Sequence, residues 1–119
     1  MYSNAMQRVW HIEDDNVIVD SFLVSGRAGI PASGVYSVKR RLNPGRSGNL
    51  ALDYFVGFAQ GRTTDIGFHG IPRMPNGGLI QSESELGQYR SHGCVRQAIS
   101  DAILTWNFAP TGTTVVVVP

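Results

Sequence analysis

Hydrophobic positions in this chain come in short runs broken by glycine, proline and polar residues, and only near the C-terminal end do they recur at helical spacing. Residues 9–12 and 17–24 are rich in β-branched and aromatic side chains and predict two strands, with the polar quartet Glu13-Asp14-Asp15-Asn16 as the turn of a hairpin. Glycine-rich breaks over 25–29 and 31–34 follow, and then Val35, Tyr36 and Val38 predict a short strand running into Lys39-Arg40-Arg41. Residues 43–49 have the composition of a loop. Residues 52–58 predict the next strand, with Tyr54, Val56 and Phe58 on one face, and 66–69 another. Residues 70–90 hold two prolines and four glycines with little periodicity, which predicts a long loop of the kind that often carries function. Ala98, Ala102, Ile103 and Trp106 predict one helix over 97–108, ended by Pro110, and 113–118 a final buried strand. The pattern predicts a mostly β domain of six or seven strands and one helix, without repeats or linkers.

Composition narrows the choices. At 119 residues, 42% hydrophobic and 16% charged, the chain is expected to form a single globular domain. A formal charge of +1 lacks the basic excess of a nucleic-acid surface. The longest apolar run, residues 115–118, is far too short for a membrane span, and there is no signal peptide with a basic start and an apolar core. Ser3-Asn4-Ala5 ahead of Met6 resembles the scar left by tag removal. Residues 1–5 are therefore set apart from a domain expected over 6–119, and any export signal or anchor is expected outside these residues.

Chemistry enters at Ser91-His92-Gly93-Cys94-Val95-Arg96, which holds the only cysteine. A lone cysteine forms no internal disulfide, and the thiolate is its nucleophilic form. Three features here favour that form. Cys94 is expected just before the helix, where free N–H groups and the dipole attract negative charge. His92, or His69 brought in by the sheet, can take the thiol proton. Gly93 lets the backbone bend so that the N–H groups of Gly93 and Cys94 face one substrate oxygen, and Arg96 can fork onto a carboxylate. Blander readings stand beside this one. Cys94 can be inert core, and His69 a structural histidine at a strand end, as His11 is read to be. His69, His92 and Cys94, with His11 or Asp65, can be imagined as a metal set, but the His-x-Cys spacing is not a standard zinc pattern and no second arm follows. On the residues alone, the leading reading is a cysteine acyl-transfer enzyme of unstated substrate.

The same residues resemble a known family. Ser-His-Gly-Cys-Val-Arg is similar to the signature of L,D-transpeptidases of the YkuD type, Ile66-Gly67-Phe68-His69-Gly70-Ile71-Pro72 to the His-Gly strand end that precedes it, and the stretch 30–36 to the family's Pro-x-Gly segment, with an actinobacterial flavour. The likeness runs from about residue 9 to 118. It implies a β-rich fold of mixed sheets, sandwich- or barrel-like, with a short helix after the cysteine. It implies a cofactor-free cysteine transferase acting outside the cytoplasmic membrane on peptidoglycan stem peptides, donor and acceptor, with no nucleic acid and no membrane contact by the domain. Within it Cys94 is the nucleophile, His69 the base oriented by the Gly70 carbonyl, and His92 and Ser91 support the loop. Gly93 and Cys94 give oxyanion N–H groups, and Arg96 meets substrate. The family's thiol forms 3→3 cross-links with loss of D-alanine, and carbapenems acylate it. Twenty-one residues between His69 and Ser91 exceed the commonest gap, so residues 71–90 are expected to act as a lid. The alternatives are a hydrolase of the same chemistry and a silent wall-binding module.

Overall fold

The computed structural model describes residues 1–119 as eleven strands, two single-turn 3-10 segments and one α-helix. The strands are β1 (Tyr2–Ser3), β2 (Arg8–Glu13), β3 (Val17–Leu23), β4 (Gly34–Ser37), β5 (Arg40–Leu42), β6 (Gly45–Ser47), β7 (Leu50–Leu52), β8 (Phe55–Gln60), β9 (Asp65–Gly70), β10 (Val95–Gln97) and β11 (Thr114–Val118), with α1 (Ile99–Phe108) before the last. Five strands form one sheet in the order β3-β2-β1-β11-β4, four form a second in the order β10-β9-β8-β5, and β6-β7 is a separate hairpin. No sheet closes on itself, so the mostly β class holds without a barrel. The core lies between the two large sheets, where Tyr2, Phe22 and Val117 of the first meet Val56, Phe58 and Phe68 of the second. Phe58 stacks on Phe68 at 4.7 Å. No helix is long and apolar enough to cross a membrane.

Four differences from the sequence reading have physical causes. Residues 43–49 are no simple loop, because Gly48 turns the chain with φ +58 and lets β6 pair back onto β7 across two residues. The strand expected over 52–58 breaks at Asp53-Tyr54, where Tyr54 takes φ +54. From Phe55 to Ala59 every residue is buried, because Val56 and Phe58 face the core while Phe55 on the other face is covered by His69 and Gly45. Alternation is therefore lost. The helix begins at Ile99, since Val95–Gln97 pairs parallel with β9, and it turns Ala102 and Thr105 inward while Ile103 stays 39% exposed.

The fourth difference concerns residues 1–5, which belong to the fold. β1 pairs antiparallel with β2 and parallel with β11, in the middle of the larger sheet. Tyr2 is fully buried, and its hydroxyl accepts hydrogen bonds from Gln7 Nε2 at 2.8 Å and Asn4 Nδ2 at 3.3 Å. Asn4 also ties down the loop before β4, donating to the Arg27 carbonyl and accepting from the Gly29 N–H, each at 2.8 Å. Tyr2→Ala is expected to cost about 3–5 kcal/mol, measured by denaturant unfolding, because it empties a core position and orphans these amides.

Candidate active site

The site is built on the parallel pair β9–β10. Register places Arg96 opposite His69 and Val95 opposite Phe68. Paired residues of neighbouring strands share a face, so Arg96 and His69 project to one side, and Cys94 in the bend before β10 joins them. All three line a cavity of about 1080 Å³, and His92, Gly93 and Ser91 lie at the same wall. Its outer parts come from the β6–β7 hairpin (Gly45, Arg46, Ser47, Leu50 and Leu52) and from the turn 60–65 between β8 and β9. Gly67 has to be glycine, since a Cβ there would meet the Val56 carbonyl oxygen at 2.6 Å.

His69 is 2% exposed and its ring lies nearly parallel to that of Phe55, 6.0 Å away. Nδ1 sits 2.6 Å from the Gly70 carbonyl oxygen. A carbonyl only accepts, so Nδ1 carries the proton and Nε2 keeps its lone pair. Burial pushes this histidine down to about 4, outweighing the upward pull of the Gly70 carbonyl, and the Arg96 charge adds to the lowering. The imidazole is thus neutral at neutral pH, which is the form a base needs.

Cys94 does not sit at the helix start. β10 separates it from α1, so the helix dipole is not at the sulfur. The thiol donates weakly to the Asp65 carbonyl at 3.5 Å. Burial holds its pKa above the ordinary value, opposed by a hydrogen bond from the Gly67 backbone and by the positive Arg96. At rest the proton therefore stays on sulfur, and this is a thiol beside a neutral imidazole rather than a preformed ion pair.

The loop that carries the thiol is fastened by Ser91, whose hydroxyl donates to the Cys94 carbonyl and accepts from the Gly93 N–H at 3.1 Å. This corrects two expectations. Gly93 N–H is committed to Ser91 and is not a free oxyanion donor, whereas Cys94 N–H has no partner within the chain. His92 is exposed at the cavity wall, and the tie across the loop comes from Ser91 instead. Of the loop 71–90 only Pro72 reaches the cavity, so it does not form the expected lid. His11 lies elsewhere, between Asp20 (2.9 Å from Nδ1) and Thr105 (2.9 Å from Nε2), stacked on Phe108. No three His, Cys, Asp or Glu side chains converge as a metal set.

Sequence reasoning missed the cavity's charge. Arg27, Arg40, Arg46, Arg62 and Arg96 line it, half of the chain's ten Lys and Arg, against Asp65 alone of nine Asp and Glu. Only Arg40 is paired, with Asp65 at 3.1 Å. A near-neutral chain hides this because its acids lie elsewhere, and spacing along the sequence does not reveal which arginines share a wall.

An open β-sandwich presenting a neutral imidazole on one strand and a thiol just before the neighbouring parallel strand, inside a basic cavity, defines a class of cysteine–histidine proteins. The sequence model of YkuD, the L,D-transpeptidase catalytic domain, matches residues 2–117, and the chain belongs to that family. No curated protein matches it. Solved structures share the fold. L,D-transpeptidase 3 from Mycobacterium tuberculosis, in complex with a faropenem-derived adduct, is 19% identical with a TM-score of 0.74 over 99% of this chain and 58% of its own. The L,D-transpeptidase from Stackebrandtia nassauensis is 19% identical with a TM-score of 0.70, covering 98% of this chain and 53% of its own. The catalytic domain of the Enterococcus faecium L,D-transpeptidase is 18% identical with a TM-score of 0.69, covering 98% of this chain and 92% of its own. This chain thus spans about half the length of the Stackebrandtia protein.

Proposed function

We propose that this chain is the acyl-transfer domain of an L,D-transpeptidase that joins peptidoglycan stem peptides by 3→3 cross-links outside the cytoplasmic membrane. The observation that carries the reading is that His69 of β9 and Cys94, in the bend directly before β10, line one cavity, with Nδ1 of His69 fixed by Gly70 and Nε2 left free. Substrate binding brings a peptide carbonyl, between a diamino acid and a terminal D-alanine, to the sulfur. Nε2 takes the thiol proton as the sulfur attacks the carbonyl carbon. The resulting oxyanion meets the free Cys94 N–H. Collapse breaks the carbon–nitrogen bond. The imidazolium returns its proton to the leaving amine of D-alanine, and a thioester remains on Cys94. The side-chain amine of a second stem, losing its proton to His69, attacks the thioester and frees the thiol.

The basic cavity supports this reading, because stem peptides carry carboxylates and Arg96 has no acidic partner. Incubation with a tetrapeptide stem and an amine acceptor is expected to yield a cross-linked dimer and free D-alanine by mass spectrometry, and a carbapenem to add to Cys94. Tripeptide without dimer identifies a hydrolase. No product and no adduct on folded protein identifies a silent binding module.

A further inference from the structure

The long loop 71–90 stays out of the cavity, yet it is anchored at many points. Arg73 bridges to Ala51 and Leu79, and Arg73 also pairs with Asp53 at 2.9 Å. Ser82 and Glu85 form a capping box, Glu85 pairs with Arg90 at 2.8 Å, and Gly87 N–H donates to the Val24 carbonyl at 2.8 Å. Between these ties one residue, Gln81, is only 7% exposed. Its Oε1 accepts from Arg96 Nη1 at 3.0 Å, and its Nε2 donates to Ser25 Oγ at 3.1 Å. The amide has no other sensible orientation, because a guanidinium can only donate. Ser25 and Arg96 also exchange backbone hydrogen bonds, at 2.9 and 2.8 Å, so the three residues form one closed unit.

The choice of an amide has consequences. A carboxylate at this position would fork onto the guanidinium and cancel its charge. Glutamine fixes Arg96 through a single donor and leaves the cation and its other N–H groups unmatched, on the cavity wall that holds Cys94 and His69. That charge acts on both neighbours, favouring thiolate at Cys94 and the neutral ring at His69. We propose that Gln81 is a positioning residue: it holds Arg96 as an uncancelled cation beside the thiol, where the guanidinium takes a carboxylate of the donor peptide. The identity of the donor rests on the function proposed above, whereas the electrostatic effect on the thiol does not.

The test uses the whole chain and two variants, Gln81→Glu and Gln81→Met, with folding checked by thermal melts. The first readout is the rate of Cys94 alkylation by iodoacetamide against pH, followed by intact mass. The charged and titratable groups that share the cavity with the thiol are Arg96 from β10, Asp65 and His69 from β9, His92 from the loop, and Arg27, Arg46 and Arg62, with Arg40 paired to Asp65. The second readout is KM and kcat for a tetrapeptide stem with a free terminal carboxylate and for its terminal amide. Gln81→Glu is expected to raise the alkylation midpoint by about one pH unit. It should also raise KM for the free acid about tenfold with kcat little changed, and erase the preference for acid over amide. Gln81→Met is expected to leave the midpoint near that of the wild type while raising KM several-fold. An alkylation midpoint unmoved in folded Gln81→Glu overturns the proposal, as does wild-type protein that turns over the amide as well as the acid. Should Gln81→Glu fail to fold, the acid-to-amide preference in Gln81→Met decides, and an unchanged preference overturns the proposal. If wild-type protein turns over neither donor, the function proposed above fails, while the alkylation midpoints still decide the role of Gln81.

Discussion

Cys94→Ala is expected to lower D-alanine release from a tetrapeptide stem by a factor on the order of 10⁴ or more, because it removes the only thiol in the chain. The fold should survive. The sulfur is only partly buried, and its hydrogen bonds are the weak contact to the Asp65 carbonyl at 3.5 Å and one from the Gly67 backbone. Its loss is expected to cost about 1 kcal/mol or less by denaturant unfolding. Turnover at the wild-type rate, followed by chromatography of released D-alanine, would unseat the nucleophile. A collapse of stability alongside the lost turnover would instead return Cys94 to the role of inert core.

His69→Ala should lose roughly 10²–10⁴ in kcat/KM, the usual range for removing a positioned base. The pH behaviour separates this role from a structural one. With its folded pKa pushed down to about 4, His69 is neutral through the neutral range, so kcat/KM in the wild type should show no acid limb there. The protonated thiol and the neutral imidazole are the reacting pair, so the rate should stay level across the neutral range, below the raised titration of the thiol. The same shift bears on stability. The unfolded chain holds the His69 proton at the ordinary 6.5 and the folded chain only near 4, so the unfolded state binds more protons between these values. Stability therefore falls as pH drops from about 6.5 toward 4, and His69→Ala should flatten part of that fall. His11 is the control. Burial lowers it too, but its partners are Asp20 and Thr105, away from the thiol, so His11→Ala should lose stability with far less effect on rate. Equal rate losses in the two variants would reject His69 as the base.

The sequence made some of this legible and concealed the rest for definite reasons. The β2–β3 hairpin, β9 and β11 could be read because each is a run of β-branched and aromatic residues bounded by turn formers. Ser91 through Arg96 stood out because polar and reactive residues cluster around one cysteine. β5, β6 and β10 were not legible, since Arg-Arg-Leu, Gly-Arg-Ser and Val-Arg-Gln are strands only through the neighbours they pair with. The displacement of α1 followed from missing β10, and with it went the argument from the helix dipole. Gln81 was invisible for another reason. Its importance comes from contacts with Ser25 and Arg96 that no local pattern announces.

The pairing of Tyr2 with both Val9 and Val117 makes a two-residue strand the keystone of the larger sheet. On one side of it stands the ribbon β3-β2, on the other β11-β4. Two-stranded ribbons are marginal in water when left alone. Proteolytic loss of those few residues would therefore cleave the sheet down its midline into two weak halves, where trimming β3 or β4 would merely shorten a border.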